Sequence, residues 1–325
     1  MTGVTVIVPA YNEGPGLADA LQAMATYFAS HDGTYEFSYL IVDDGSDDPT
    51  YAVAEAFARR CPRTRVLRHP ANRGLGAALR TAFANVQTDV AVVMDADLSY
   101  APATAMKLIE ALAMEDADIA LASPYAAGGS VLNVPGLRRV LSREANRFLS
   151  LATNGRYATL TCMVRAYRVS ALRRLNFRDD RMAAIVEMLL SALQQNMQVV
   201  EVPATLEWSD ARRNGARRAN VARIASQIAA TVLLGCRYRP ALWLALPGLF
   251  PGLLPLVVAL LLAFHVSRST LAIVTTATIV VQYTSLALFT GQITAFVREK
   301  LNQKRRYRSN GVKNTNGLNV PTHTA

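Results

Sequence analysis

The stretch that decides the fold of this chain is Val90-Ala91-Val92-Val93-Met94-Asp95-Ala96-Asp97. Five apolar residues bounded by polar ones are typical of a strand that is buried on both faces, as in a parallel sheet covered by helices. Open α/β sheets bind their ligands beyond the carboxyl ends of their strands. We therefore predict an α/β fold, with a ligand site at Asp95 and Asp97.

The two carboxylates of this Asp-x-Asp pair are hard oxygen ligands. Such ligands suit Mg²⁺ or Mn²⁺ bridging a diphosphate, because Mg²⁺ is usually held by one or two carboxylates together with substrate phosphates. A solvated turn between a strand and a helix would contain the same residue types. The pair by itself is therefore weak evidence for a metal site, and similar features elsewhere in the chain are needed to support it.

Two upstream strands end in the same way. The apolar run at residues 4–8 leads into Pro9-Ala10-Tyr11-Asn12-Glu13, and the run at residues 39–42 leads into Asp43-Asp44-Gly45-Ser46. A turn with a helix cap at Ser46 or Asp47 would explain one of these ends. Three polar strand ends in the first hundred residues favour a shared site at one edge of the sheet.

Four stretches of the chain resemble motifs of the family 2 glycosyltransferases of the GT-A fold, especially the polyprenyl-phosphate (dolichol-phosphate mannose synthase-like) branch. The resemblance covers roughly residues 4–218, and the motifs follow one another in the order and spacing of the family. The stretches are Val6-Ile7-Val8-Pro9-Ala10-Tyr11-Asn12-Glu13, Ile41-Val42-Asp43-Asp44-Gly45-Ser46, Asn72-Arg73-Gly74-Leu75-Gly76-Ala77-Ala78 and Met94-Asp95-Ala96-Asp97-Leu98.

The resemblance implies a Rossmann-like, mostly parallel sheet flanked by helices, and a nucleotide-sugar donor carrying GDP or UDP. It implies that Asp95 and Asp97 hold the donor diphosphate through Mg²⁺ or Mn²⁺. The reaction that it implies is transfer of a sugar to polyprenyl phosphate, with inversion at the anomeric centre. The residues expected around the nucleotide are Pro9, Tyr11, Glu13, Asp43 and Asp95.

On the acceptor side, the predicted helix at residues 137–151 has Arg139, Arg143 and Arg147 on one face. These arginines form either a solvated face or a basic stripe against anionic headgroups or a prenyl phosphate. The resemblance favours the second alternative, and it places Arg139, Ser142 and Arg165 near the acceptor phosphate.

Further along, the basic loop at residues 212–218 begins with Arg212. Arginine offers paired donors to a diphosphate, so we count Arg212 with Asp95 and Asp97 as a catalytic candidate. Attraction to a membrane surface is the alternative explanation for this loop.

Several positions depart from the pattern of the branch. Ser99 stands where a further metal-ligating Gln is often found, and a serine hydroxyl or a water would have to fill that position. Pro124 replaces an Arg, and Thr159 replaces an acidic residue. These changes favour a subgroup with a different arrangement on the acceptor side.

We nominate no catalytic histidine. A prenyl phosphate oxygen is already anionic and needs no strong base, and the four histidines have no carboxylate or cysteine partner nearby in the sequence. A partial dinucleotide fingerprint begins at Gly74, but it lacks its third glycine and the family pattern accounts for it.

The charge distribution and the cysteine content limit which partners and cofactors the chain can have. Residues 1–209 carry a net charge of −3 and residues 210–325 one of +13, within a total of +10. Such a basic segment fits nucleic acid or a membrane surface, and the apolar runs inside it favour the membrane. The three cysteines are far apart and have no metal-ligand spacing, so we expect neither a disulfide framework nor a cysteine metal site.

Two uncharged runs, residues 241–266 and 270–297, each exceed the ~20 residues needed to cross a bilayer. They predict a transmembrane helical hairpin. Basic residues flank both outer ends, so we expect a multi-pass protein of the cytoplasmic membrane whose catalytic domain and termini are cytoplasmic. The predicted organisation is a catalytic domain (1–218), an interfacial amphipathic helix or linker (219–239), the hairpin (240–298) and a basic, disordered tail (299–325).

Three hypotheses about function remain open at this point. The first is a membrane-anchored transferase that makes a polyprenyl-phosphate sugar. The second is a related transferase that acts on another lipid, such as a diacylglycerol. The third is a weakly active scaffold of the same fold, motivated by the changes at Ser99 and Pro124.

Overall fold

The computed structural model describes residues 1–31 and 33–208, together with scattered helical positions between 269 and 287. The nine strands of residues 1–208 are β1 (Thr2–Ala10), β2 (Tyr35–Asp43), β3 (Thr64–Arg68), β4 (Val90–Val93), β5 (Ile119–Ser123), β6 (Ser130–Leu132), β7 (Arg165–Arg168), β8 (Val199–Pro203) and β9 (Thr205–Glu207).

Seven of these strands form the central sheet, in the order β3-β2-β1-β4-β7-β5-β8. Every neighbouring pair is parallel except those that β7 makes with β4 and β5. The predicted strands at residues 4–8, 39–42 and 90–94 correspond to β1, β2 and β4. The prediction of an α/β fold with a mostly parallel sheet is therefore confirmed.

Helices cover both faces of this sheet. Their bounds are α1 (Gly16–Ala29), α2 (Thr50–Arg60), α3 (Leu75–Ala84), α4 (Pro102–Met114), α5 (Gly136–Ala152), α6 (Val169–Leu172) and α7 (Ala183–Gln194). Side chains of a strand alternate between the two faces. Val6 of β1 accordingly packs with α1, α2 and α4, whereas Ile7 packs with α3, α6 and α7.

A small second sheet pairs β6 with β9 in parallel. It is tied to the loop after β4, because the Glu207 amide donates to the Ser99 carbonyl at 2.9 Å. Helix α5 follows β6, and its bounds agree within one residue with the helix predicted at 137–151.

The predicted hairpin, the interfacial segment, the basic tail and Arg212 lie outside the described residues, except for the scattered helical positions between 269 and 287. Among the residues that the structure does describe, none of the helices is both long and apolar enough to cross a bilayer. The described chain falls into two compact units, one holding residues 1–150 and 157–208, the other holding residues 151–156 and the positions after 268.

Candidate active site

The sheet register brings the ends of β2, β1 and β4 to one edge. Ala10 at the end of β1 pairs with Asp43 at the end of β2, and Ile7 pairs with Val93 at the end of β4. The loops that follow these three strands are therefore neighbours. This is the edge at which the sequence predicted a ligand site.

The loop after β1 is fixed by hydrogen bonds to the segment after β2. The Asn12 amide donates to Ser46 Oγ at 3.0 Å, and the Asp47 amide donates to Asn12 Oδ1 at 3.0 Å. Asn12 adopts a left-handed conformation (φ 54°), which Asn tolerates better than most residues. The turn leaves Tyr11 on its outer side with 41% of its surface exposed.

The loop after β4 has a similar construction. Leu98 is left-handed (φ 53°), a conformation that is unusual for a bulky residue. It folds the chain back so that the Ser99 amide and hydroxyl both donate to Asp97 Oδ1, at 3.0 and 2.7 Å. Ser99 is 2% exposed, whereas Asp95 and Asp97 are partly exposed. The buried serine therefore orients the carboxylate of Asp97.

A cleft of about 310 Å³ lies along this edge. Its lining includes five of the predicted site residues, which are Pro9, Tyr11, Glu13, Asp95 and Asp97. Leu75, Ala78, Met163 and Met182 add an apolar wall. The structure thus combines an acidic end, formed by the Asp-x-Asp pair, with an apolar surface that can pack against a ring.

Asp43, the remaining residue expected around the nucleotide, is not among the described residues that line this cleft. It is fully buried, its Oδ1 accepts from the Ser46 amide at 3.2 Å, and its Oδ2 lies 3.0 Å from Arg68 Nε. The adjacent Asp44 lines the cleft instead. Successive residues at a strand end point in opposite directions, which is why Asp44 lines the cleft and its neighbour Asp43 does not.

The wall formed by the start of α3 depends on two glycines. The Gly76 amide donates to the Asp180 carbonyl at 2.8 Å. A Cβ on Gly76 would lie 2.1 Å from the Asp179 carbonyl oxygen, and one on Gly74 would lie 2.3 Å from the Asp180 oxygen. These glycines therefore allow a close backbone approach between α3 and the segment at residues 179–180.

Glu187 explains how the segment at residues 178–181 is held against α3. Its Oε2 accepts from the amides of Arg178 and Asp179, both at 2.9 Å. From the other side, Arg80 of α3 donates to the Asp179 carbonyl at 3.0 Å and pairs with Asp180. Glu187 therefore has a structural role, since it holds this segment through two backbone amides.

The donor set of the cleft fits a metal that shares its coordination with a substrate. Within residues 1–31 and 33–208, no three His, Cys, Asp or Glu side chains form a group able to hold a metal ion by themselves. Two carboxylates, Asp95 and Asp97, are nevertheless the number that Mg²⁺ commonly takes from protein when phosphates supply other ligands. The residues present therefore fit Mg²⁺ or Mn²⁺ bound together with a diphosphate.

Asp97 also borders a second, larger cleft of about 730 Å³. This cleft lies between the start of α4, which contributes Lys107, and the end of the small sheet, which contributes Glu207 and Trp208. The Trp208 ring packs under the Arg138 guanidinium, 4.8 Å from ring centroid to Cζ. The loop after β4 thus separates two clefts.

On the acceptor side, the structure does not support a phosphate-binding role for Arg165. It is 1% exposed, because β7 lies in the middle of the sheet. Its two terminal nitrogens donate to the carbonyls of Ile185 and Leu160 at 2.8 and 2.7 Å. These two nitrogens thus hold the backbone of neighbouring segments, whereas the buried Nε has no hydrogen-bond partner among the described residues.

Arg139 and Ser142 lie on α5, and neither is among the described residues that line the two clefts. Arg139 is exposed, as are Arg143 and Arg147. Ser142 is half-buried, and its carbonyl accepts from Asn146 Nδ2 at 2.9 Å. The buried Asn146 also accepts from the Leu160 amide at 2.8 Å, so it fastens α5 to the chain before β7.

The departures at Pro124 and Thr159 meet in one place. Ser123, which precedes Pro124, is fully buried, and its Oγ lies 2.6 Å from Thr159 Oγ1. Glu201 of β8 accepts from the Ala158 and Thr159 amides at 2.8 to 3.0 Å. Thr159, which stands where the branch has an acidic residue, is therefore held by the Ser123 hydroxyl and the Glu201 carboxylate.

Behind Asp95 lies a buried pair formed by Tyr100 and Cys162. Burial raises the pKa of the Cys162 thiol to about 11, despite a hydrogen bond from Tyr100. Burial is also the main reason why the pKa of Tyr100 is raised, followed by the nearby thiol. Both groups therefore stay neutral at physiological pH beside the acidic end of the cleft.

The fold is that of the GT-A glycosyltransferases. Glucosyl-3-phosphoglycerate synthase from Mycobacterium tuberculosis, solved with uridine diphosphate, matches this structure with a TM-score of 0.55. The match covers 72% of this chain and 80% of that protein, at 20% sequence identity. At this identity the likeness establishes the fold alone.

The chain belongs to glycosyl transferase family 2, whose sequence profile matches residues 5–175. It is 33% identical over 207 residues to polyprenol monophosphomannose synthase from Mycolicibacterium smegmatis, a match that covers 62% of this chain and 76% of that protein. Dolichol-phosphate mannosyltransferase from Pyrococcus furiosus is 37% identical over 142 residues, 44% of this chain and 39% of its own. The protein is therefore a glycosyltransferase.

Proposed function

We propose that this protein transfers a sugar from a GDP- or UDP-sugar to polyprenyl phosphate, with inversion at the anomeric centre. The observation that carries the proposal is the cleft in which Asp95 and Asp97 meet Tyr11 and Glu13 at one sheet edge. The names of the two relatives, a polyprenol monophosphomannose synthase and a dolichol-phosphate mannosyltransferase, support this acceptor class.

The donor occupies the cleft with its diphosphate at the acidic end. Asp95 and Asp97 hold the metal ion, and Ser99 keeps the Asp97 carboxylate oriented through its two hydrogen bonds. Pro9, Tyr11 and Glu13 form the side of the cleft that receives the base and ribose. A bound Mg²⁺ or Mn²⁺ supplies Lewis-acid stabilisation of the departing nucleoside diphosphate.

The chain's own contribution to the reaction is alignment. The prenyl phosphate is an anionic nucleophile, so the residues need only hold it in line with the donor's anomeric carbon. Arg139 on the exposed face of α5 and Arg212 in the basic loop are the proposed guanidinium contacts to phosphates. Each offers two parallel donors, which fixes orientation as well as charge.

The lipid acceptor implies that the protein is held at the cytoplasmic membrane by the two apolar runs after residue 240. The described helical positions between 269 and 287 support this part of the proposal. Ile273, Val280 and Tyr283 are 57 to 71% exposed. The hydroxyls of Thr276 and Thr284 donate to carbonyls four residues earlier, as polar groups do in a helix surrounded by lipid.

A transfer assay with the full chain in detergent or liposomes tests the proposal. The donors are labelled GDP- and UDP-sugars, and the acceptors are polyprenyl phosphate and diacylglycerol, each with Mn²⁺ and with EDTA. We expect metal-dependent product on polyprenyl phosphate with one donor. Product on diacylglycerol alone would establish the second lipid class. Absence of turnover by the folded protein with every donor would contradict both.

A further inference from the structure

The histidine after β3 has partners that its sequence neighbourhood does not show. His69 is 6% exposed, and its Nδ1 lies 2.6 Å from Asp44 Oδ1. Its Nε2 lies 2.8 Å from Thr81 Oγ1 on α3. A carboxylate can only accept, so Nδ1 carries the proton and donates to Asp44, while the Thr81 hydroxyl can serve as donor or acceptor at Nε2.

Asp44 links this histidine to the cleft. Besides the His69 contact, its Oδ2 accepts from the Gly74 amide at 2.7 Å and its Oδ1 from the Arg73 amide at 3.1 Å. Asn72, Gly74 and Leu75, which these amides position, all line the cleft, as does Asp44 itself. One buried carboxylate therefore sets the backbone of a whole wall.

The turn held by Asp44 has little freedom to adjust. Gly74 has φ 100° and packs against the Asp180 carbonyl, while Gly45, beside Asp44, has φ 73° and packs against the Ala71 backbone. A rotation of the Asp44 carboxylate would break the two hydrogen bonds that it accepts from the backbone amides of residues 73 and 74. His69, through its short contact to Oδ1, opposes that rotation.

We propose that His69 and Asp44 are positioning residues for the nucleotide-diphosphate donor. His69 fixes the Asp44 carboxylate, and Asp44 fixes the Asn72–Leu75 wall in the shape that binds the donor. The inference rests on the proposed function, since it takes the ligand of this cleft to be a nucleoside diphosphate. It predicts an effect on donor affinity, and little effect on turnover by the fully bound enzyme.

Two amide replacements of His69 separate positioning from simple filling of space. In His69→Asn the side-chain amide reaches the place of Nδ1 and can still donate to Asp44. In His69→Gln the amide reaches the place of Nε2 and Thr81 instead. We expect the Asn variant to stay within about threefold of wild type in Kd for GDP or UDP, and the Gln variant to bind about tenfold more weakly, the typical worth of a hydrogen bond to a charged group.

The measurement is calorimetric binding of GDP and UDP with Mn²⁺ to the full chain, together with KM and kcat in the transfer assay. The proposal requires the Gln variant to show a raised Kd and KM with kcat within twofold of wild type. Thr81→Val, which leaves the Asp44 contact intact, serves as a third variant and should bind like wild type. If His69→Gln does not fold, Asp44→Asn takes its place, because it replaces one accepting carboxylate oxygen by an NH2 group; the proposal then requires a raised Kd and KM with kcat within twofold of wild type.

Three results would overturn the inference. Equal donor affinity in the Asn and Gln variants would show that the Asp44 contact is not what matters, and so would a lowered kcat at unchanged KM. Weaker binding by Thr81→Val than by His69→Gln would do the same. A wild-type protein that binds neither GDP nor UDP would refute the proposed function as well, which distinguishes the two failures.

Discussion

Two regions of this molecule use polar residues in opposite ways. We call the loops after β1, β2 and β4 the donor edge, and helix α5 with strand β7 the acceptor side, after the ligands proposed for them. At the donor edge, Asp95 and Asp97 stand after a strand and face a cleft, and the backbone around them is tied by local hydrogen bonds. On the acceptor side, Arg165 stands within a central strand, and its two terminal nitrogens donate to backbone carbonyls. A charged residue just beyond a strand end is thus a better ligand candidate than one inside a strand.

The largest expected effect tests the donor edge. We expect Asp97→Ala to lower kcat/KM by about 10³-fold, in line with the loss of a main electrostatic contact to the developing diphosphate charge. The variant should fold, since Asp97 is partly exposed. Asp19→Ala, an exposed carboxylate on α1, is the matched control and should keep full activity. Near-normal activity of Asp97→Ala in the transfer assay would show that the donor diphosphate does not bind at this edge of the sheet.

The next effect tests the contrast itself, by comparing a buried with an exposed arginine. Arg165→Met leaves two buried carbonyls without donors, so we expect a loss of about 3 kcal/mol or more in unfolding free energy. Arg139→Met, on the exposed face of α5, should stay within about 0.5 kcal/mol of wild type.

Denaturant unfolding and the KM for polyprenyl phosphate separate the two roles. Arg165→Met should lower stability, and the protein that remains folded should keep its KM for the acceptor. A stable Arg165→Met protein with a raised acceptor KM would restore the phosphate-binding role that the resemblance implied.

The same contrast explains which features the sequence could predict. Strands β1, β2 and β4 were recognised because each is an apolar run followed by polar residues. Strand β7 reads Arg-Ala-Tyr-Arg, which has no apolar run, although it lies in the middle of the sheet. The contact between His69 and Asp44 joins residues 25 positions apart, and only the parallel pairing of β2 with β3 brings them together.

The third prediction concerns the buried thiol behind the donor edge. The pKa of Cys162 is raised from 9.0 to about 11, so the folded state keeps a proton that the unfolded state loses. Its stabilising contribution is therefore complete below pH ~9 and is lost as the pH rises through about 11. At pH 10.5 we expect it to remove about 2 kcal/mol of stability relative to pH 8.

Cys162→Ala, measured in a background that carries Cys236→Ser, isolates this contribution. The difference in stability between pH 8 and pH 10.5 should be about 2 kcal/mol smaller in Cys162→Ala than in its parent. Cys61→Ala, at a half-buried cysteine, is the control and should leave the difference unchanged. An identical pH dependence in parent and Cys162→Ala would show that the thiol is not held neutral by burial.

The smallest expected effect concerns Ser99, a buried residue of the donor edge that contacts the Asp97 carboxylate. The Ser99 hydroxyl donates to Asp97 Oδ1 at 2.7 Å from a position that is 2% exposed. It therefore orients Asp97, the proposed metal ligand, whereas the resemblance placed Ser99 at the position of a metal-ligating Gln. Ser99→Ala keeps the hydrogen bond from the backbone amide to Asp97 and loses the one from the hydroxyl, which is worth about 1 kcal/mol. We therefore expect about fivefold weaker Mn²⁺ binding in the presence of GDP or UDP.

Ser99→Gln distinguishes the two descriptions, when Mn²⁺ affinity is followed by electron paramagnetic resonance. If the position supplies a ligand, the Gln variant should bind Mn²⁺ at least as tightly as wild type. If Ser99 positions Asp97, the larger Gln side chain cannot fit in the buried site without displacing the loop after β4, and Mn²⁺ affinity should fall below that of Ser99→Ala. Ser30→Ala, at an exposed hydroxyl after α1, should bind Mn²⁺ like wild type. The order of these Mn²⁺ affinities decides whether Ser99 orients the Asp97 carboxylate through a hydrogen bond or contributes a ligand to the metal itself.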